Sequence, residues 1–172
     1  MQKITPFLWF DTQAEEAMNF YTSIFASRPG SANGESKVLS LTRYPEGPLE
    51  GPMKGMEGKV LTAVFQLDGQ NFMCLDGGPF FKPTGAMSLY VECENQEEVD
   101  HFWNKLSEGG DPNAQQCGWL QDKYGFSWQI IPIALPLMLN DPDKGKADRA
   151  MKAMLQMKKI IVADLEAAAN AK

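Results

Sequence analysis

Apolar and polar residues at the start of the chain repeat first with the period of a strand and then with that of a helix. Residues 3–10 (KITPFLWF) alternate loosely and are rich in aromatic and β-branched types, which predicts a strand. Residues 13–25 then place apolar side chains at helical spacing, which predicts a helix. Asp11 and Thr12 are the side chains expected to cap its N-terminus.

Three further patterns complete the first half. Residues 36–44 (SKVLSLTRY) predict a second strand, and VLTAVFQLDGQNFMCLDGG predicts two more that fold at Asp68-Gly69, a dipeptide typical of tight hairpins. RPGSANG is predicted as a turn, and residues 45–58, with three prolines and four glycines, as a loop. This loop is either a lid over a site or an ordinary mobile surface loop. The predicted order is β-α-β-β-β.

The same order begins again after the linker GPFFKPTG. A strand at residues 87–93 is followed by Asn95 as a helix cap and by a helix that ends at Gly109-Gly110. Two short strands around residues 115–121 and a last strand at residues 127–131 complete a second β-α-β-β-β set.

Two pairs of segments can be aligned between the halves. Residues 15–21 (EEAMNFY) match residues 97–103 (EEVDHFW) at an offset of 82, and residues 69–75 (GQNFMCL) match residues 125–131 (GFSWQII) at an offset of 56. Because both matches fall at the same place in the predicted order, we interpret the halves as an internal duplication.

The segment after residue 140 has a different character. A turn and capping cluster, NDPD, precedes a predicted helix over residues 144–159 with methionines along one side, and a second short helix is predicted over residues 163–171. The methionines cover either the sheet of the same chain or a neighbouring subunit. Residues 141–172 carry a net charge of +2 and residues 1–140 a net charge of −8, which indicates either docking of this segment or ordinary solvated helix charges.

Composition limits the chemistry. The chain has 172 residues, is 44% apolar and 22% charged, and has the length of one globular domain. Its one histidine, His101, excludes a metal site with two histidines, and its three cysteines show no CxxC spacing. The net charge of −6 argues against nucleic-acid binding. No targeting pattern and no run of 18 apolar residues occur, so we expect a cytoplasmic protein that does not enter membranes.

Longer sequence segments carry a resemblance to a known family. The segments are ITPFLWFDTQAEEAMNFYTSIF, LDGGPFF, SLYVEC, NQEEVDHFWNKLSEGG, CGWLQDKYGFSWQIIP and the tail KADRAMKAMLQMKK. The resemblance is to the PhnB-like, or 3-demethylubiquinone-9 3-methyltransferase-like, branch of the vicinal oxygen chelate superfamily, and it covers nearly the whole chain. The resemblance implies an α+β glyoxalase/bleomycin-resistance fold, with two tandem βαβββ modules forming a curved mixed sheet around a cup. Residues 1–140 would form this single domain, with module 1 at about 3–76 and module 2 at about 86–132, and residues 141–172 a helical extension. We expect a homodimer.

The resemblance also locates the positions that bind metal in metal-dependent members of the superfamily. They fall on the first and last strands of each module, here at Thr5, Met73, Met87 and Gln129. None is His, Asp or Glu, so we predict no metal and no cofactor. His101 lies on the second module's helix, where a surface or interface role is expected. The methyltransferase label is not supported by the residues, because no G-x-G-x-x-G turn for S-adenosylmethionine occurs.

Strand parity gives a candidate ligand pocket in the cup. Side chains two residues apart share a face of a strand, so the inward side chains would be apolar or aromatic with a few polar groups. The candidates are Thr5, Phe7, Trp9, Met73, Met87, Leu89 and Gln129. The alternative is that these residues fill a closed core. Trp119 and Trp128 are interpreted as core anchors, and Cys117 as the most accessible thiol.

The sequence leaves three functional hypotheses open. The first is a metal-independent protein that binds a small apolar or aromatic molecule, since no acid-base or nucleophile-base pair can be assembled from the inward positions. The second is a metal-dependent lyase, isomerase or dioxygenase of the same superfamily. The third is an interaction protein with a filled cup.

Overall fold

The computed structural model describes residues 2–30 and 36–171. The chain forms two compact units, Met1–Pro83 and Thr84–Lys172, and the boundary lies at the end of the linker GPFFKPTG. Most of the predicted turn RPGSANG lies outside the described residues. The elements are β1 Phe7–Phe10, α1 Ala14–Ala26, β2 Lys37–Arg43, β3 Val60–Leu67, β4 Gln70–Asp76, β5 Ser88–Cys93, α2 Gln96–Leu106, β6 Trp119–Gln121, β7 Ser127–Pro132, α3 Ala134–Leu139, α4 Lys144–Met154 and α5 Val162–Asn170.

The first unit is a four-stranded sheet with one helix on one face. Its strand order is β1-β4-β3-β2, with β1 parallel to β4 and the other pairs antiparallel. The hairpin predicted at Asp68-Gly69 is confirmed, and both residues have the positive φ values (44° and 79°) that a tight turn of this hand requires. Residues 45–58 form a loop, as predicted, with one short 3-10 turn at Gly51–Met53.

The core of the first unit lies between α1 and the sheet. Alternate strand residues such as Phe65 and Cys74 are fully buried beneath the apolar face of α1, which includes Ala17 and Tyr21. Leu8 and Phe10 are buried on the same side, as the strand parity predicted.

The N-terminus of α1 is capped from a distance and not by its neighbours in sequence. The residue before the helix, Gln13, makes no capping hydrogen bond. Instead Asp76, at the end of β4, accepts a hydrogen bond from the Ala14 amide (2.8 Å) and another from the Val60 amide (3.0 Å). The predicted capping role of Asp11 and Thr12 is therefore wrong. Burial raises the pKa of Asp76, while the two amide donors act to lower it.

The second unit repeats this topology with three strands. Its order is β5-β7-β6, with β5 parallel to β7 and β6 antiparallel to β7, as β1, β4 and β3 are arranged in the first unit. Only one of the two predicted short strands forms, because Gln116 makes a single bridge to Trp119. The predicted cap of α2 is confirmed, since the Asn95 side chain accepts from the Glu98 amide at 3.1 Å. Trp128 and Ile130 are buried on the face that carries α2.

The pairing of β5 with β7 corrects the alignment of the two first strands. Met73 and Gln129 are equivalent positions in the two halves, at the offset of 56. Met73 pairs with Phe7 and Gln129 pairs with Tyr90, so the first strands are offset by 83. The helices are offset by 82, because three residues connect β1 to α1 and only two connect β5 to α2. A shift of one residue moves a side chain to the other face of the sheet. Leu89 therefore lies on the face opposite to Gln129, contrary to the parity prediction.

Residues 133–171 form a layer of three helices on the second unit, which we call the C-terminal layer. Its cluster of buried side chains contains Ile131 of β7, with Leu135, Ile160 and Leu165 from the layer itself. Met154 also packs against this cluster, as does Met157. These two methionines thus cover the sheet of their own chain, whereas Met151 is 45% exposed.

One helix boundary and one additional helix in the C-terminal layer differ from the prediction. Helix α4 ends at Met154 and not near residue 159, and α3 was not predicted at all. Pro136 lies in the first turn of α3. The amides of a first turn have no acceptor within the helix, so a proline, which lacks the N–H, costs no helical hydrogen bond there. None of the helices in the described part of the chain has the length and apolar character needed to cross a membrane.

We expect Asp76→Ala to lower the free energy of unfolding by about 2 to 5 kcal/mol, because two buried amides would lose their acceptor. Urea denaturation followed by circular dichroism measures the change. Asp148→Ala, at an exposed position on α4, is the matched control and should change stability by less than about 0.5 kcal/mol. Equal stability of the two variants would contradict the long-range cap.

Gly118→Ala should destabilise the contact between the C-terminal layer and the sheet. Gly118 has φ +84°, and an added Cβ would lie 2.6 Å from Ile131 Cδ1 and 3.1 Å from the Ile130 carbonyl oxygen. Backbone strain and overpacking together cost about 2 to 4 kcal/mol, measurable by the same denaturation. Gly47→Ala, where an added Cβ meets nothing within 4 Å, should leave stability unchanged.

Candidate functional site

Four of the predicted pocket residues lie in the first unit. Phe7 and Met73 are paired across β1 and β4, and Trp9 is paired with Leu75, so these side chains share the sheet face opposite α1. Phe7 is exposed, and Thr5, just before β1, is half-buried.

Trp9 has a structural role within this unit. Its indole Nε1 donates a hydrogen bond to the Gly78 carbonyl oxygen at 2.9 Å, and its ring lies edge-on to Phe81 with the ring centroids 4.9 Å apart. A Cβ at Gly77 would lie 2.2 Å from the Trp9 ring. Trp9 therefore anchors the segment that follows β4.

The three remaining predicted residues, Met87, Leu89 and Gln129, belong to the second unit and do not share one face of its sheet. Met87 precedes β5 and is 65% exposed, and Leu89 faces the α2 side. Gln129 lines a pocket on the sheet face opposite α2. The partners of Gln129 across the sheet are Tyr90 on β5 and Trp119 on β6, neither of which was in the predicted set.

The pocket belongs entirely to the second unit and has a volume of about 260 Å³. Its lining residues come from the three strands, the connection before β6, and the helices α3 and α4. They are Tyr90, Cys117, Trp119, Gln129, Ile131, Leu135, Pro136, Leu139 and Met154.

The floor of the pocket is a row of three side chains across the sheet, which we call the aromatic-amide row. Tyr90, Gln129 and Trp119 occupy paired positions on β5, β7 and β6. Adjacent strands are about 5 Å apart, so the two aromatic residues lie about 10 Å apart with the amide between them. The sequence interpretation of Trp119 as a core anchor is wrong, since its side chain is 37% exposed at the pocket. Trp128 is the core tryptophan, with Nε1 donating to the buried Asp122 at 2.7 Å.

Gln129 supplies the directional polar group of the floor. Its Nε2 donates to Ser88 Oγ at 2.8 Å, which fixes the orientation of the amide. The carbonyl oxygen Oε1 is then left to accept a hydrogen bond from a molecule in the pocket.

The opposite wall comes from the C-terminal layer. Leu135, Pro136 and Leu139 of α3 line the pocket together with Met154 of α4. The packing of α3 on α4 and β7 places these side chains at the pocket. In the sequence, the one feature that could have indicated this wall is the apolar run ALPLML after the last predicted strand.

Cys117 lines the pocket beside this wall. Its φ of +51° is unusual for a residue with a side chain, and its amide donates to the Met157 carbonyl oxygen at 2.8 Å. Cys117 is half-buried while Cys74 and Cys93 are buried, which confirms it as the most accessible of the three thiols.

The two buried thiols are held in the protonated form. Burial raises the pKa of Cys74 and of Cys93 to about 12.

The lining favours binding over proton transfer. It contains no carboxylate, imidazole, ammonium or guanidinium group among the described residues. Its tyrosine, Tyr90, has a pKa raised first by burial and then by the nearby Glu92, so the phenol stays protonated at neutral pH. His101 is on α2, on the other side of the sheet, with its ring edge-on to Phe102.

The side chains present do not fit a divalent metal. With the corrected register, Ser88 and not Met87 corresponds to Thr5, and in the second unit Ser88 and Gln129 are hydrogen-bonded to each other. Neutral hydroxyl, amide and thioether groups are weak ligands for hard divalent ions. Across residues 2–30 and 36–171, no three His, Cys, Asp or Glu side chains are grouped so that they could hold a metal ion.

Comparison with known proteins places the chain in a family. A family model described as 3-demethylubiquinone-9 3-methyltransferase matches residues 2–131. A PhnB protein from Bacillus cereus is 46% identical, with a TM-score of 0.61, over 76% of this chain and 99% of its own. A protein from Pseudomonas aeruginosa is 19% identical, with a TM-score of 0.57, over 77% of this chain and 98% of its own, which supports the fold alone. No curated protein matches the chain. The α+β fold and the match over residues 2–131 show that this chain belongs to the PhnB-like, 3-demethylubiquinone-9 3-methyltransferase family.

Proposed function

We propose that the protein binds a small, uncharged aromatic molecule in the pocket of its second unit, without a metal. The observation that carries this proposal is the aromatic-amide row, Tyr90, Gln129 and Trp119, beneath an apolar wall. Pockets for small molecules typically combine an apolar and aromatic lining with a few placed polar groups.

The aromatic character of the ligand follows from the groups it would contact. Tyr90 and Trp119 offer ring faces and edges on both sides of the Gln129 amide, and offset or edge-to-face ring contacts contribute about 0.5 to 1.5 kcal/mol beyond area burial. Met154 and Cys117 are the sulfur-containing residues of the lining, and sulfur packs favourably against ring edges.

The polarity of the ligand follows from Gln129. Ser88 accepts from one of the two N–H groups of Gln129 Nε2. Oε1 is the acceptor that the amide offers to a ligand, and it accepts hydrogen bonds only. A hydroxyl or N–H on the ring of the ligand would satisfy it. A charged ligand would lose hydration without meeting an opposite charge in the lining.

The volume of the pocket limits the size of the ligand. A cavity of about 150 Å³ holds a benzene molecule. The pocket of about 260 Å³ therefore accommodates one ring with short substituents.

The rival functions have less support. A metal-dependent lyase, isomerase or dioxygenase would need ligands that the neutral side chains at Thr5, Met73, Ser88 and Gln129 do not offer. An interaction protein with a filled core would not need the space beside Trp119. The methyltransferase name of the family is not carried to this chain, because its sequence has no glycine-rich nucleotide turn. The homodimer stays a prediction.

Gln129→Leu should reduce binding of a hydrogen-bond-donating probe while preserving the shape of the pocket. For 4-methylphenol we expect an affinity loss of about five- to tenfold, since one neutral hydrogen bond contributes about 1 kcal/mol. For 4-methylanisole, which cannot donate, we expect no loss. Calorimetry and ligand-observed NMR measure both.

The control for this experiment is Gln70→Leu, an exposed glutamine of the first unit, which should bind both probes like the wild type. The proposed function is wrong if neither probe binds the wild type. The role of Oε1 is wrong if Gln129→Leu weakens both probes equally.

A further inference from the structure

One wall of the pocket lies outside the part of the chain that the family model matches. The family match ends at residue 131, and the Bacillus cereus protein, almost all of which is matched, leaves about a quarter of this chain without a counterpart. Leu135, Pro136, Leu139 and Met154 all follow that point. The aromatic-amide row, in contrast, lies entirely within the matched region. The family domain thus supplies the floor, and the C-terminal layer supplies the wall.

The wall is fixed in place by hydrogen bonds between the connection that precedes β6 and the segment that follows α4. The amides of Cys117 and Gly118 donate to the carbonyl oxygens of Met157 and Lys158, each at 2.8 Å, and Gln116 Nε2 donates to the Leu155 carbonyl oxygen at 2.7 Å. These bonds hold the end of α4 against the connection that leads into β6.

A second set of contacts holds the segment between α4 and α5 to α2. The Gln96 side chain donates to the Ile160 carbonyl oxygen at 3.1 Å and accepts from the Val162 amide at 2.8 Å. Lys159 pairs with Asp100 at 2.7 Å. With Ile160 and Leu165 fully buried, the C-terminal layer has the contacts of a permanent part of the unit, not those of a swinging lid.

We propose that the C-terminal layer is the specificity element of this pocket. By placing Leu139 and Met154 opposite the aromatic-amide row, it converts an open sheet face into a pocket of limited size, and so restricts the ligand to a single-ring phenol or a similar aromatic donor. This proposal rests on the proposed function and names the part of the chain that selects the ligand.

The limit on ligand size therefore comes from the C-terminal layer, whereas the matched region supplies the aromatic and hydrogen-bonding contacts. Without the wall, the aromatic-amide row would be an open surface on which ring systems of any length could lie. A relative that ends where the matched region ends would have to limit its ligands by other means.

The test compares two methionines of α4. Met154 lines the pocket, and Met151, one turn earlier, is 45% exposed and does not line it. Met154→Ala enlarges the pocket and should raise the affinity for 2-naphthol relative to 4-methylphenol at least fivefold. Met154→Phe fills the pocket and should weaken 4-methylphenol binding at least tenfold. Met151→Ala and Met151→Phe should bind both probes like the wild type.

Affinities are measured by calorimetry on the full chain, and circular dichroism with thermal melting verifies that each variant is folded. If Met154→Phe does not fold, the affinity ratio in Met154→Ala alone decides. Binding of 4-methylphenol to the wild type with an unchanged probe ratio in Met154→Ala would overturn the role of the C-terminal layer and leave the proposed function intact. Failure of the wild type to bind either probe would overturn both.

Discussion

Each unit of this protein depends on the parallel pairing of its last strand with its first. β4 pairs with β1, and β7 pairs with β5, so the chain must cross over between them, and a helix makes the first part of that crossing. That helix covers one face of the sheet and leaves the other face to be covered by something else. The register of this pair also decides which side chains reach the uncovered face. Gln129 stands beside Tyr90 there only because β5 is paired with β7 in one register and not in the neighbouring one.

Local sequence patterns predicted most of the elements, and the failures share a cause. The hairpin at Asp68-Gly69 and the cap at Asn95 depend on residues next to each other in the chain, and both are confirmed. Asp76 caps a helix that begins 62 residues earlier, so no local pattern could identify it. The face of Leu89 depended on the length of the turn between β5 and α2, and a difference of one residue between the two halves was enough to reverse it.

In the candidate site, too, some residues could be identified from the sequence and others only from long-range contacts. Gln129 could be found from the sequence, because the family resemblance marks a position on the last strand of each half and the internal duplication transfers that position to the second half. Tyr90 required the correct pairing of two strands, and Met154 required knowledge of how α4 packs. The pocket is thus formed by long-range contacts, whereas the resemblance and the duplication together locate its central polar group. Those contacts bring together a neutral lining in which Tyr90 keeps its proton. The site therefore offers recognition through shape, ring contacts and the hydrogen-bonding groups of Tyr90 and Gln129.

The division of the pocket between two stretches of chain has an evolutionary consequence. The floor is encoded before residue 132 and the wall after it, so a single recombination near the end of β7 would replace the whole wall and leave the sequences of the three strands and of α2 unchanged. Between such events the two stretches can also accumulate changes under different constraints. Trp128 and Ile130 are held by the packing of α2, whereas Leu139 is half-buried beside the pocket, where substitutions cost less stability. Ligand preference can therefore diverge faster than the fold.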